Sequence, residues 1–303
     1  MKWTPLKENI GYFSGSVNIG YMMKEEKGIL IDTGLDKSSV KKVLSYLKKH
    51  NFPLDYCILT HSHADHIGGF TEILKQSKVE CWAPEFEKSL MVQTRLEPIY
   101  LWNGAEPLQS LRSKFLEAPS IPEDCLTSIS EEGIIRMGPF ELTVYFLKGH
   151  SYQQIGVMYE DVLFASDSYF GREVASKHKI LFIVDAKETL HTLNRIKTLP
   201  FKWSIPGHGE VERKEATIET LQYNEDLHQK CIKTITTALG TEKLTVETIL
   251  EMVLNQYEIQ CNSVSRWLLF RTSITAYVTS LIHEGNVEVS LEHNKMVFSI
   301  AHT

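Results

Sequence analysis

The stretch His61-Ser62-His63-Ala64-Asp65-His66 constrains this chain more than any other. It follows the apolar run Tyr56-Cys57-Ile58-Leu59 and precedes Ile67-Gly68-Gly69-Phe70. That pattern predicts a buried strand that ends in a loop and gives way to a helix. Side chains two apart on an extended segment point the same way, so His61 and His63 can grip one ion together. Asp65 and His66 fall where the chain turns, and they can face a second ion. Neutral imidazole and carboxylate suit zinc, iron or manganese. The plain alternative is a His-rich surface loop.

Three later sites weigh against that alternative. Leu147-Lys148-Gly149-His150-Ser151 follows the strand-like run Leu142 to Phe146. Val162-Leu163-Phe164-Ala165-Ser166-Asp167 is an apolar strand ending in a carboxylate. Ile205-Pro206-Gly207-His208-Gly209 repeats the arrangement with an imidazole. Each sets one metal-binding side chain directly behind an apolar strand. A single such residue is an ordinary loop group, but three in the same setting, together with the loop at 61–66, point to a shared metal site.

In this order the motifs resemble those of the metallo-β-lactamase fold superfamily, over about residues 10 to 213. Asp32, in Leu30-Ile31-Asp32-Thr33-Gly34, matches that superfamily's first motif, a carboxylate behind the ligands and before a tight turn. The resemblance implies two divalent metal ions, zinc first, with iron and manganese as alternatives. One ion would take His61, His63 and His150, the other Asp65, His66 and His208, with Asp167 bridging. It implies a hydroxide held between the ions as nucleophile, with Asp65 both ligating and orienting it. Asp167 stands where some β-lactam-cleaving members carry Cys, and His63 where flavodiiron members carry Glu, so the chain resembles neither. The resemblance says little about substrate, because one scaffold hosts many reactions.

The predicted fold class is α/β, a four-layer αββα sandwich of two sheets with helices outside. A chain of 303 residues accommodates that unit, expected over 1–211, and a smaller one over 212–303. Asp36 to His50 has helical spacing, with Asp36 as its cap, and 185–199 forms another helix. Residues 84–135 break the rhythm with five prolines and several aromatics. They read either as a surface insertion or as a flap, in which Tyr100 and Trp102 would wall the substrate pocket. After Glu212 three helices and a small hairpin are expected, an arrangement that resembles a winged helix. Nucleic-acid binding does not follow, because eight cations face twelve carboxylates from Glu212 onward. The tail is expected to pack on the metal unit, shape the cleft or form a homodimer contact.

The five cysteines lack metal-type spacing and read as reduced thiols of a cytoplasmic protein. No apolar run reaches the roughly 18 residues of a membrane span. The leading expectation is a hydrolase of a small-molecule ester-type bond: thioester, lactone or ester. Phosphodiester or RNA cleavage is the enzymatic alternative, and a non-catalytic metal- or ligand-binding protein the other. Tyr169 and His178 are candidate proton donors to a leaving group, each also readable as a packed or solvated side chain. A thiolate leaving group would need neither.

Overall fold

Along the strands, apolar residues divide between two faces, and that division builds the layers. In a computed structural model, which describes residues 1–240 and 242–301, the first sheet holds seven strands side by side in chain order. They are β1 (Lys2–Lys7), β2 (Ile10–Ser14), β3 (Ile19–Lys24), β4 (Lys27–Ile31), β5 (Tyr56–Ile58), β6 (Glu80–Pro84) and β7 (Leu126–Ile129). β1 to β4 pair antiparallel; β4 to β7 pair parallel. Parallel neighbours need crossovers, supplied by α1 (Lys37–Lys49), α2 (Ala64–Ile67), α3 (Phe70–Leu74), α4 (Glu85–Val92) and α5 (Leu96–Leu101).

The second sheet holds β8 (Gly133–Met137), β9 (Phe140–Phe146), β10 (Ile155–Tyr159), β11 (Val162–Ser166), β12 (Trp203–Pro206) and β13 (Glu212–Arg213). Its one parallel pair, β11 with β12, is bridged by α6 (Arg172–His178) and α7 (Ala186–Thr198). The tail comprises α8 (Lys214–Ala238), α9 (Val246–Gln256), α10 (Val264–His283) and the hairpin β14 (Val287–Glu292) and β15 (Lys295–Ile300).

Three apolar seams make this the four-layer αββα sandwich. Between the sheets, Ile29, Ile31 and Ile58 meet Val157, Phe164 and Ile205. The alternate residues Leu30 and Cys57 face the other way, onto Val40, Val43 and Ile73 of α1 and α3. On the far side, Leu163 and Ala165 face Leu193, Ile196 and Leu221 of α7 and α8. The period of two sorts each strand between seams. Helix α1 begins where expected: the Asp36 carboxylate accepts from Ser39 N at 3.0 Å, and Lys48 and Lys49 sit in the last turn.

Two regions differ from the sequence expectation. The irregular excursion is shorter than 84–135, because β7 and β8 belong to the sheets. Strand β7, Leu126-Thr127-Ser128-Ile129, buries only its two ends, too short a signal for alternation to register. Nor does packing break near Glu212. Strand β13 pairs with β12, and α8 spans both regions, with Leu221 in the outer seam and Cys231 and Ile235 in the tail core. That core also takes Ile180, Ile183 and Ala186 from before β12, so the tail is welded to the sandwich.

Inside the tail, His228 of α8 is buried, with Nδ1 2.6 Å from the Tyr277 hydroxyl of α10. Burial lowers its pKa from 6.5 to about 4. The unfolded chain therefore takes up a proton that the folded chain refuses, and stability falls as pH drops from about 6.5 toward 4. The loss attributable to His228 should be on the order of 3 kcal/mol. Denaturation across that window should give a flatter profile for His228→Gln than for the wild type; parallel profiles would refute the assignment.

Candidate metal centre

The crossover geometry delivers the motif residues to one place. Strand β4 leads into Asp32, β5 into His61, β11 into Asp167 and β12 into His208. Ligand atoms of His61, His63 and His150 lie within 4.8 Å of one another, as do those of Asp65, His66 and His208. His61, His66 and Asp167 form a third such group. Asp167 stands between the trios: Oδ1 is 3.2 Å from His66 Nε2, and Oδ2 is 3.4 Å from His150 Nε2 and 3.3 Å from His208 Nε2. Gly207 permits this approach, because a Cβ there would lie 1.9 Å from Asp167 Oδ1.

Hydrogen bonds behind the imidazoles decide which nitrogen faces inward. His150 Nδ1 donates to the Phe182 carbonyl at 3.0 Å, and His208 Nδ1 to the Ser16 carbonyl at 2.7 Å. His66 Nδ1 is held by Asp32 Oδ2 at 2.8 Å. Each leaves Nε2 toward the cluster, the arrangement by which outer partners orient metal-binding histidines. Asp32 also accepts from Thr60 N at 2.8 Å and from Thr60 Oγ1 at 2.9 Å. Both Asp32 and Ser166 have positive φ, 62° and 50°, a backbone strain that surrounding contacts must hold.

Charge is divided across the cluster. Burial, reinforced by neighbouring imidazoles, holds His61 well below its ordinary range and His150 down to about 3. Burial likewise lowers His63 to about 4. These rings are neutral and keep a lone pair. On the other side, burial opposes the charged forms, but His66 and His208 are outweighed upward by Asp167 and its fellow carboxylates. Asp65 is lowered to about 2, because His66 and His208 outweigh its burial.

The donor set fits a divalent cation. His61 Nε2, His66 Nε2 and Asp167 Oδ1 are buried without any hydrogen-bond partner. Though His66 Nε2 and Asp167 Oδ1 are 3.2 Å apart, they are not aligned as a hydrogen bond. Orphaned buried polar atoms cost about 1–3 kcal/mol each. Three at one point are suited to coordinating a cation.

A cavity of about 370 Å³ opens over the cluster and reaches His63, Asp65, His150, Asp167 and His208. Of the other predicted residues, His178 lines it, while three lie elsewhere. Tyr169 is in the outer seam, 1% exposed, with its hydroxyl on Ser204 Oγ at 2.7 Å. Its neighbour Phe170 takes the cavity wall instead. Tyr100 and Trp102 pack with Leu268 and Leu269 of α10, and Tyr100 borders a separate hollow. Their place over the metal cluster is taken by Phe115 and Leu116 from the same excursion.

Two residues escaped sequence reasoning. Glu87 of α4 is fully buried and accepts from Ser62 N, Ser62 Oγ, Ser151 Oγ and Gln153 N at 2.6 to 3.0 Å. It clamps the loop of His61–His66 to that of His150. Glu97 of α5 lines the cavity with no hydrogen-bond partner among the described residues. Burial, with Asp65 and Glu87 nearby, holds its pKa well above the carboxylate range. Both sit within helices, where a glutamate reads as a surface residue, so neither carried the signal that exposed the candidate ligands.

Fold and site together define a member of the metallo-β-lactamase superfamily, whose profile matches residues 13–208; the chain belongs to it. It is 25% identical over 197 residues to the probable metallo-hydrolase YqgX of Bacillus subtilis, covering 63% of this chain and 84% of that one. It is 23% identical over 175 residues to a hydroxyacylglutathione hydrolase of Buchnera aphidicola, covering 57% of this chain and 54% of the relative. The fold matches a crystal structure of a beta-lactamase domain protein from Burkholderia ambifaria with TM-score 0.74 at 13% identity, over 99% of this chain and 93% of that one. That match extends through the tail.

Glu87→Ala should leave four donors unanswered. It is expected to cost about 3 kcal/mol in unfolding free energy and roughly ten- to hundred-fold in metal affinity. Urea denaturation and equilibrium metal titration read the two effects. Wild-type values in both would show that the two loops are joined by something else.

Proposed function

We propose that this protein is a metal-dependent hydrolase that holds two divalent ions and cleaves an ester-type bond of a small molecule: a thioester, a lactone or a simple ester. The observation that carries the reading is the convergence of seven donors, His61, His63, Asp65, His66, His150, Asp167 and His208, around orphaned buried atoms. His61, His63 and His150 would hold one ion and Asp65, His66 and His208 the other, with Asp167 between them. Zinc is the expected metal, and iron or manganese would suit the same donors. Bound divalent ions supply Lewis acidity and a nucleophile that is active near neutral pH.

The chain's own residues do the rest. The neutral rings of His61, His63 and His150 offer lone pairs without first losing a proton. Asp65 is kept ionised, and its Oδ2 lies 3.1 Å from His208 Nε2, so that both donors face the same point at the cavity floor. Phe115, Leu116, Phe182 and Phe270 line the cavity and exclude water from an acyl group. His178 is pushed down by burial and by nearby His208 and Arg266, so its ring favours the neutral form, a poor acid. With Tyr169 turned away, Glu97 is the carboxyl on the wall whose burial favours its protonated form. Hydrolysis would break the acyl carbon–heteroatom bond and give a carboxylate; a thiolate would leave without an acid, and an alkoxide would draw on Glu97. Similarity to a hydroxyacylglutathione hydrolase agrees with a thioester. The apolar wall and the acidic tail oppose a polynucleotide.

Metal analysis with a chromogenic panel tests the reading. Two equivalents of metal and turnover of thioester, lactone or aryl ester are expected. Asp167→Asn should lose more than the roughly hundred-fold that outer partners command. A protein that holds two metals and cleaves none of the three ends the proposal, and turnover of bis(p-nitrophenyl) phosphate alone would replace it with phosphodiester hydrolysis.

A further inference from the structure

Outside the metal cluster the cavity wall carries four polar side chains, Glu97, His178, Arg266 and Ser273, of which Ser273 is already bonded to Ile183 N and Leu269 O. Glu97 comes from α5 in the excursion, and Arg266 from the first turn of α10 in the tail. Glu97 is 9% exposed and has no hydrogen-bond partner among the described residues. The Arg266 guanidinium has no carboxylate within 4 Å among those residues; it rests on the face of Phe270, 5.4 Å from the ring centroid. Most other arginines on this surface are paired: Arg95, Arg112, Arg136, Arg195 and Arg271 each meet a glutamate. Leu269, Phe270, Ile180 and Leu181 make up the apolar part of this wall, and His178 lies near both Arg266 and His208.

From this arrangement we infer that the site is built for an anionic substrate, an ester-type compound whose carboxylate is separated from the scissile carbonyl by a short apolar segment. Arg266 binds the carboxylate and Glu97 contacts the polar group nearer the metals. A guanidinium offers two parallel donors to a carboxylate, a geometry that an ammonium lacks. Arg266 also lies in the first turn of a 20-residue helix, where the backbone dipole favours an anion. Because the guanidinium is exposed, its contribution is discounted for solvent and set by orientation as much as by charge. The inference rests on the hydrolase reading for its chemistry but not for its binding step. The tail thereby acquires a role in recognition, since it supplies the residue that selects the substrate's charged end.

Three thioesters of similar size separate the sources of the anion. They are butanoyl-N-acetylcysteamine, its succinyl counterpart with the carboxylate on the acyl side, and the butanoyl thioester of 3-mercaptopropionate with the carboxylate on the thiol side. One anionic compound should exceed the neutral one in kcat/KM by about ten- to hundred-fold, chiefly through KM. Arg266→Gln should erase that ratio and Arg266→Lys restore only part of it. A ratio near one in the wild type, or an equal ratio in wild type and Arg266→Gln, overturns the inference. If no thioester is cleaved, thermal unfolding of the metal-loaded protein with succinate decides it independently. A rise in midpoint that Arg266→Gln abolishes keeps the anion site and removes the hydrolase reading, whereas no rise in either protein removes the anion site.

Discussion

The Asp32 carboxylate is the interaction on which the rest of the site depends. It lies 2% exposed at the end of β4 and receives the Thr60 backbone, the Thr60 hydroxyl and the His66 ring. The Thr60 hydroxyl in turn lies 2.7 Å from Ser166 Oγ, on the strand of the other sheet that leads to Asp167. One buried charge thus ties β4, β5 and β11 at the edge where both sheets end. A charge taken out of water must be fully answered by donors, and the donors here are the residues beside the ligands. Closing the sandwich at this edge through that network brings His61, His66 and Asp167 together.

Rigidity at the edge comes from packing on three sides. The seam between the sheets fixes how far β5 stands from β11, and the two outer seams press each sheet from behind. Dense packing transmits position as well as stability. The orphaned nitrogens of His61 and His66 are costs that this packing sustains until coordination relieves them. Stability is thereby spent on a site poised for a cation.

Around that common floor, what is particular to this chain is the wall. The excursion after β6 contributes Glu97, Phe115 and Leu116; the tail contributes Arg266, Leu269 and Phe270. The two pack on one another, with Leu101 and Leu111 against Leu268, and Arg271 reaches Asn103 at 2.9 Å. Neither forms the pocket alone. A superfamily defined by its strand-end ligands can vary its substrates through such additions, and here the added parts hold a cation that no carboxylate among the described residues answers.

The sequence by itself singled out the candidate metal ligands that the fold brings together, because most of them follow an apolar run whose alternation is local and readable. It determined α1 and α7 nearly to the residue, since caps and periodic faces are local too. Only the tertiary structure decided the wall. Tyr169 and Phe170 are neighbours, and one residue of phase sends the first into a core and the second into the cavity. Tyr100 and Trp102 were legible as apolar, but which surface they would cover depended on α10, more than 160 residues away. Glu87 and Glu97 look like ordinary helix-surface glutamates in the sequence, and become a clamp and a cavity acid only when α4 and α5 fold over the ligand loops. Ligands are placed by the strands that carry them, whereas walls are placed by contacts between distant segments, which local periodicity does not encode.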